Sequence, residues 1–421
     1  MVAVLSPTRR EGAMSPTAIP PLSAPFRRLA WSNLAAQSAE QIGLAAAPIV
    51  AVLALGAGAG GTGLLQTVQT LPFLLLSLPA GILADRSSRR RLMAAAEALR
   101  ALSLIAILIL AETGGLSLGL LAALGFVGAA GTVAYSVAAP SLIPDLVPRA
   151  ALPAANGRIE LARSAAFAAG PALAGALVAW AGGGLAFAAA AALSVLAVVL
   201  LRGIREPVRP PPPPRRILHD LREGAVFVLA HPLLRPVLLT AVFFNIGWFV
   251  LQAIYVPYAV GHLGLSAAAV GATLAVYGVG MVLAALAAPR VARALPFGTV
   301  LLIGPFCGLC GALLMLLTVW VPSALVASLA FFLFGAGPIL WVIASTTLRQ
   351  AVTPPAMLGR VSAIITMATF GARPIGAAIG GLVGDSHGAA ACLAVAVIGF
   401  VIQALVIAGS PVPRLAALPA A

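Results

Sequence analysis

Long apolar runs recur along the chain at a length that suits a lipid bilayer. A helix needs about 20 mostly apolar residues to cross the hydrocarbon core. Runs of that kind occupy 29–55, 62–84, 91–111, 116–138, 156–180 and 184–203. After a polar break they resume at 234–260, 266–288, 297–320, 323–347, 358–384 and 388–409. Numbered as spans 1 to 12, they predict an all-α membrane protein of twelve transmembrane helices, with room for spans 4 and 10 to run longer. Proline and glycine inside the spans do not count against this, because neighbouring helices satisfy the backbone groups they free.

Composition agrees: 61% of residues are hydrophobic and 9% charged, against roughly 45–50% and 25% in soluble domains. The net charge of +14 does not imply a nucleic-acid partner, because the basic residues lie in short clusters between apolar runs. All 25 basic residues are arginine, which excludes a phosphate-loop lysine, a Schiff base and a lysine general base. Cys307 and Cys310 form a C-x-x-C inside span 9 and read as helix packing rather than a redox or metal site. His219, His231, His262 and His387 lie in loops or near span ends and form no catalytic constellation. Neither an enzyme nor a cofactor is expected, and no nucleotide-binding domain is present to draw directly on ATP.

The arginines set the topology. Connections leaving odd spans contain none. Those leaving even spans carry Arg86 and Arg89–Arg91, Arg149, Arg205, Arg209, Arg215, Arg216 and Arg222, then Arg290 and Arg293, then Arg349 and Arg360. Arg27, Arg28 and Arg414 flank the ends. The positive-inside rule places all of these, and both termini, in the cytoplasm, as for a multi-pass inner-membrane protein.

The expected organisation is a disordered cytoplasmic tail at 1–25, a six-helix bundle at 26–204, a cytoplasmic linker at 205–233, a second bundle at 234–409 and a tail at 410–421. The first 25 residues lack the apolar core of a signal peptide. In the linker, Pro210–Pro214 predicts polyproline II. Residues 217–230 predict an amphipathic helix on the membrane surface, with Leu218, Leu221, Ala225 and Val228 in one stripe. The two bundles look like repeats. Gly157–Arg158 and Gly359–Arg360 are followed 13 or 14 residues on by Pro171 and Pro374, each entering a small-residue helix. Same-orientation repeats with a midplane site between them are a transporter architecture.

Three motifs carry a resemblance to a known family. The first is Gly81-Ile-Leu-Ala-Asp85-Arg86-Ser-Ser-Arg89-Arg90-Arg91. The second is Pro140-Ser-Leu-Ile-Pro144-Asp145-Leu-Val-Pro148 with Ala155-Asn156. The third is Gly170-Pro171-Ala-Leu-Ala-Gly175, with Ala174 where a second glycine is usual. Together with the twelve-span layout they resemble the major facilitator superfamily and, within it, the drug and siderophore efflux branch. The resemblance implies two pseudo-symmetric six-helix bundles, and a cytoplasmic gate of Gly81, Asp85, Arg86, Arg89, Arg90 and Arg91. There Gly81 would allow tight packing and Asp85 would face a helix N-terminus in the other half. Gly170, Pro171 and Gly175 would form the antiporter motif of span 5. The matching loop of the second half is eroded to Gly280 and Ala288-Pro289-Arg290-Val-Ala-Arg293, without aspartate.

Ionisable residues inside spans mark function by default. Asn33, Gln37, Glu40 and Gln41 share a face of span 1, and Glu40 is the candidate proton-coupling or cation-recognising residue. Arg373, in mid-span 11 where span 5 has Gly170, requires a counter-charge, for which Glu40 is one candidate. Glu97 with Arg100, and Glu160 with Arg163, read as local ion pairs near the cytoplasmic ends, supporting the gate. Span 7 carries Asn245, Trp248, Gln252 and Tyr255 as cavity-lining candidates, with Tyr258 expected in an outer aromatic belt; span 10 adds Trp341, Ser345 and Thr346. Span 4 lacks the intramembrane arginine common in related proton-coupled antiporters.

The expected function is proton-coupled export of a small amphiphilic compound (a drug, secondary metabolite or siderophore) by alternating access. An importer or facilitator is the nearest alternative, and a lipid scramblase or membrane-embedded enzyme on the same fold is a further one. The expected partners are the small-molecule substrate, protons and membrane lipid, with the chain acting as a monomer.

Overall fold

A computed structural model describes residues 23–148, 151–206, 217–354 and 357–419. The 1–25 tail lies almost wholly outside the described residues, as do Arg149, Arg209, Pro210–Pro214, Arg215 and Arg216. Twelve α-helices follow in order: α1 (Ala24–Leu53), α2 (Ala59–Arg86), α3 (Arg89–Glu112), α4 (Leu118–Leu146), α5 (Leu152–Ala181), α6 (Gly183–Arg202), α7 (Ile217–Ala230), α8 (Leu234–Gly261), α9 (Ala267–Ala294), α10 (Phe297–Leu317), α11 (Ala324–Val352) and α12 (Leu358–Ala408). All but the short α7 are long and apolar enough to cross a membrane.

Eleven such helices hold twelve crossings. The 51 residues of α12 would extend about 76 Å if straight, more than twice the hydrocarbon thickness. The helix is broken at Gly388, whose φ of 81° and ψ of 174° no helix accommodates. Gly182, with φ 76°, makes the matching one-residue turn between α5 and α6. A side chain at either site would meet the left-handed backbone penalty, so glycine permits successive spans to double back without a loop. Helices α4 and α11 both run past the ends of spans 4 and 10, α4 with Pro140 and Pro144 inside it.

The first half buries its small and branched side chains in two clusters, one around Phe26, Met93, Tyr135 and Leu142, the other around Ile42, Leu65, Leu121 and Phe187. The second half has a more aromatic core of Tyr255, Phe331, Phe334 and Phe400. Large apolar residues also cover the outside, as a protein dissolved in lipid requires. Trp180 is 82% exposed and Trp320 70% exposed, both at the arginine-poor end. Tyr258, expected in an aromatic belt there, is instead 5% exposed, and its hydroxyl lies 2.8 Å from Thr318 Oγ1. The phenol found the hydroxyl of the residue that caps the C-terminus of α10 and was drawn inward.

α7 differs from expectation in its partner. Its stripe does not face away from the protein: Val228 is fully buried against Leu234, Leu238, Val361 and Ile364, with Leu221 and Ala225 beside it. Arg360, at the start of α12, grips the same helix through Asp220 at 2.9 Å and through Glu223.

The halves meet chiefly through α2 against α12 and α5 against α9. At the arginine-poor end the contacts are backbone-close. A Cβ on Gly63 would strike the Cα of Gly381, and one on Gly60 would come within 2.9 Å of the Asp385 carboxyl. A Cβ on Gly175 would lie 2.8 Å from the Cα of Gly271 and 2.5 Å from the carbonyl oxygen of Ala267. Small residues are what allow helices to approach this closely in lipid. This end of the molecule is sealed.

Candidate functional site

Between the halves lies a cavity of about 690 Å³. In the second half its lining extends toward the arginine-rich end through Thr346 and Arg349 on α11 and Ile365 on α12, while the paired glycines close the opposite end.

The first half supplies a polar wall. Glu40 and Gln41 come from α1, and Gln66, Gln69 and Thr70 from α2. Arg100 comes from α3, Thr132 from α4 and Arg163 from α5. Arg100 pairs with Glu97 at 3.0 Å and donates to the Ala36 carbonyl and to Thr132 Oγ1, each at 2.8 Å. The two form the expected local ion pair, though not one confined to the cytoplasmic end. They face α1 and α4, and Arg100 reaches the cavity, because one helical turn moves a side chain about 5.4 Å toward mid-membrane. Span 4's missing arginine has a replacement of sorts, since a guanidinium reaches α4 from α3. Arg163 pairs with Glu160, one Nε–H···O separation being 3.0 Å, and stands 5.4 Å from the centre of the Phe167 ring.

The second half supplies an aromatic wall. Trp248 stacks on Tyr277 with centroids 5.1 Å apart and meets Phe334 edge-on at 4.9 Å. Tyr255 is almost wholly buried; its ring meets Phe331 at 4.6 Å and its hydroxyl bonds Thr273 on α9. Asn245 donates from Nδ2 to the Ala241 carbonyl and accepts from Arg373 Nε–H at 3.2 Å. Gln252 and Trp341 also line the cavity.

Ten of the twelve residues expected around the cavity therefore line it: Glu40, Gln41, Asn245, Trp248, Gln252, Tyr255, Trp341, Ser345, Thr346 and Arg373. Asn33 and Gln37 do not. They share Glu40's helical face, but Asn33 is seven residues away, about 10 Å along the axis. At that depth Asn33 is 4% exposed, in a part of α1 that packs on Tyr135, Ala138 and Ala197. Helical spacing reports the face and says nothing of how deep the cavity reaches. The sequence reading also missed Phe73, Phe249, Phe370 and Tyr277, since each ring comes from a different part of the chain and none forms a local motif.

Arg373 and Glu40 do not meet. Instead of a carboxylate, Arg373 has rings around it: its guanidinium carbon is 4.1 Å from the centre of Phe370 and 5.5 Å from those of Phe73 and Phe249. Phe73 belongs to α2 of the first half, so this cation bridges the two halves. Glu40 has no hydrogen bond or ion pair among the described residues.

The residues expected to form a gate lie at the arginine-rich end of α2 and α3. Arg89 pairs with Asp145 on α4 at 3.3 Å. Glu206 accepts from the backbone N–H of Arg89 at 3.0 Å and of Arg90 at 3.1 Å, capping α3. Arg90 also donates to the Arg202 carbonyl at 3.2 Å. Arg86 and Arg91 are exposed, and the side chain of Asp85 lies outside the described residues. Gly81 is not in a tight contact: the nearest atom to a Cβ placed there is on Val137 at 4.0 Å. The expected close packing at Gly81 is absent from this conformation. Gly170 and Gly175 are tightly packed, Gly170 on Gln41 of α1 and Gly175 on α9; a Cβ on Gly271 would clash with the Pro171 carbonyl oxygen.

Comparison with known proteins places this arrangement. An enterobactin exporter of Citrobacter koseri is 27% identical over 356 residues, covering 82% of each chain. An uncharacterised major-facilitator-type transporter of Sinorhizobium fredii is 28% identical over 254 residues, 58% of this chain and 60% of that protein's length. A bacterial homologue of the iron transporter ferroportin, solved in an inward-facing state, superposes with a TM-score of 0.72 at 17% identity, over 91% of this chain and 98% of that one. The family profile described as transmembrane secretion effector matches residues 17–420, and the chain belongs to that family of major facilitator transporters.

Proposed function

We propose that this protein is a proton-driven exporter of a small amphiphilic compound. It would work as a monomer in the cytoplasmic membrane, with its arginine-rich end and both termini in the cytoplasm. The observation that carries the reading is a cavity open toward the arginine-rich end and sealed at the other, with Glu40 as the one carboxylate among its described lining residues. A cavity facing the cytoplasm is the loading state of an exporter. Positive-inside asymmetry supports the orientation, and the similarity to an enterobactin exporter supports the direction.

The segments 26–204 and 234–409 are then the bodies that rock, joined by the linker at 205–233. Glu40 would bind a proton from outside and release it inside once per cycle, because a carboxylate without an ionic partner is free to change its charge. Gly81, Asp85, Arg86 and Arg89–Arg91 would meet the second half only when the cytoplasmic side shuts. Gly170, Pro171 and Gly175 would hold the outer side closed while substrate loads.

The test is transport of a compound panel in proteoliposomes under an imposed pH gradient, with the orientation of insertion determined. Glu40→Gln should lower gradient-driven transport by about a hundredfold or more, the low end of what a positioned acid–base group supplies. Undiminished gradient-driven transport in that variant would remove the coupling role. Accumulation on the side of the arginine-rich end would reverse the direction.

A further inference from the structure

Among the described residues the central cavity is lined by more arginines than carboxylates pair with. Arg100, Arg163, Arg349 and Arg373 line it. Arg100 and Arg163 are neutralised within their own helices by Glu97 and Glu160. Arg349 and Arg373 have no carboxylate at ion-pair distance among the described residues, and Glu40 pairs with neither. One positive charge remains in excess even with Glu40 ionised.

Arg373 is the better dressed of the two. A guanidinium has five N–H donors and stays protonated in any protein setting. Only the Nε–H is engaged, by Asn245. The Nη groups hold no hydrogen bond among the described residues, and they are not among the buried atoms without partners, so the cavity reaches them. Phe73, Phe249 and Phe370 stabilise the cation through their ring faces. Rings offer no lone pairs, however, and leave the fork of Nη donors free. That fork matches the two oxygens of a carboxylate. Packing does not demand an arginine here, because the pseudo-symmetric position in the first half is Gly170, seated on Gln41.

We propose that the cavity binds an aromatic organic anion, with its acidic oxygens on the Nη groups of Arg373 and its ring against the aromatic wall containing Trp248 and Tyr277. Arg349, nearer the open end, adds a second positive charge along the entry path. This deepens the exporter reading of the same cavity and rests on it for the purpose of binding.

The experiment is equilibrium dialysis of the full-length protein in detergent, without any gradient, using radiolabelled 2-naphthoate and its neutral isostere 2-naphthamide. The native protein should bind the acid about tenfold more tightly than the amide, the size of one charge-assisted hydrogen-bonded contact. Arg373→Gln should bring the two affinities together, and Arg373→Lys, which keeps the charge without the fork, should retain a reduced preference for the acid. The proposal is overturned if the native protein binds the amide as tightly as the acid or binds neither. It is also overturned if the preference survives Arg373→Gln or is absent from Arg373→Lys. Gradient-driven transport of a neutral compound, unchanged in Arg373→Gln, would overturn this inference and leave the exporter reading standing. Acid preference without gradient-driven transport would do the reverse.

Discussion

The two walls of the cavity share a topology and divide the chemistry. In the first half, arginines are matched to carboxylates one turn away and tied to neighbouring helices, as Arg100 is to Glu97, Ala36 and Thr132. In the second half, Arg373 is held by three rings and one amide and keeps its Nη groups free. One half has thus made its arginine structural, and the other has left its arginine available. In a low-dielectric setting an arginine with its own carboxylate resists solvent and ligand alike, whereas one stabilised by aromatic faces still lacks an acceptor.

That contrast breaks most readily at Glu97. Its side chain is fully buried and that of Arg100 is 5% exposed. Glu97→Ala should therefore leave an uncompensated buried charge and cost about 3–5 kcal/mol of stability, read as a lowered midpoint of thermal unfolding in detergent. The double variant Glu97→Leu/Arg100→Leu should recover most of the loss. Arg373→Gln should move the same midpoint less, because it removes one hydrogen bond to Asn245 and leaves no buried charge without a partner. If Glu97→Ala and Arg373→Gln proved equally mild, the division between a structural and an available arginine would fall.

The sealed end offers a second, smaller lever. A side chain on Gly63 meets the backbone of Gly381 rather than a movable side chain. Gly63→Val should therefore force α2 and α12 apart at a cost of about 1–3 kcal/mol, the usual range for overpacking. Spin labels at Gly58→Cys and Ser386→Cys would report it as a longer and broader distance distribution. An unchanged distribution would mean that this end is not held by backbone contact.

What the sequence made legible follows from range. Hydropathy is local, so the spans and the lone charges Glu40 and Arg373 could be read directly. Depth and partners are not local. Asn33 shares Glu40's face yet lies beyond the cavity, and Arg100, legible as half of a local ion pair near the cytoplasmic end, also reaches the cavity. The rings around Arg373 come from α2, α8 and α12, more than 100 residues apart at the extremes. The stripe on α7 was visible, but nothing in it distinguishes a lipid surface from α12; Arg360, 137 residues on from Glu223, makes that choice.

Gly81 gives the smallest expected effect and the sharpest test of the open end against the sealed one. A Cβ there has ordinary room, with Val137 at 4.0 Å, and alanine favours a helix over glycine by up to about 1 kcal/mol. Gly81→Ala should therefore leave thermal stability in this conformation unchanged or slightly raised, the opposite of Gly63→Val. If Gly81 meets the second half when the arginine-rich end shuts, the added methyl is felt only there. Transport would slow while the unfolding midpoint holds. A variant with native stability and native transport would show that Gly81 meets nothing in either conformation, and the gate would then have to rest on Asp85 and the arginines alone.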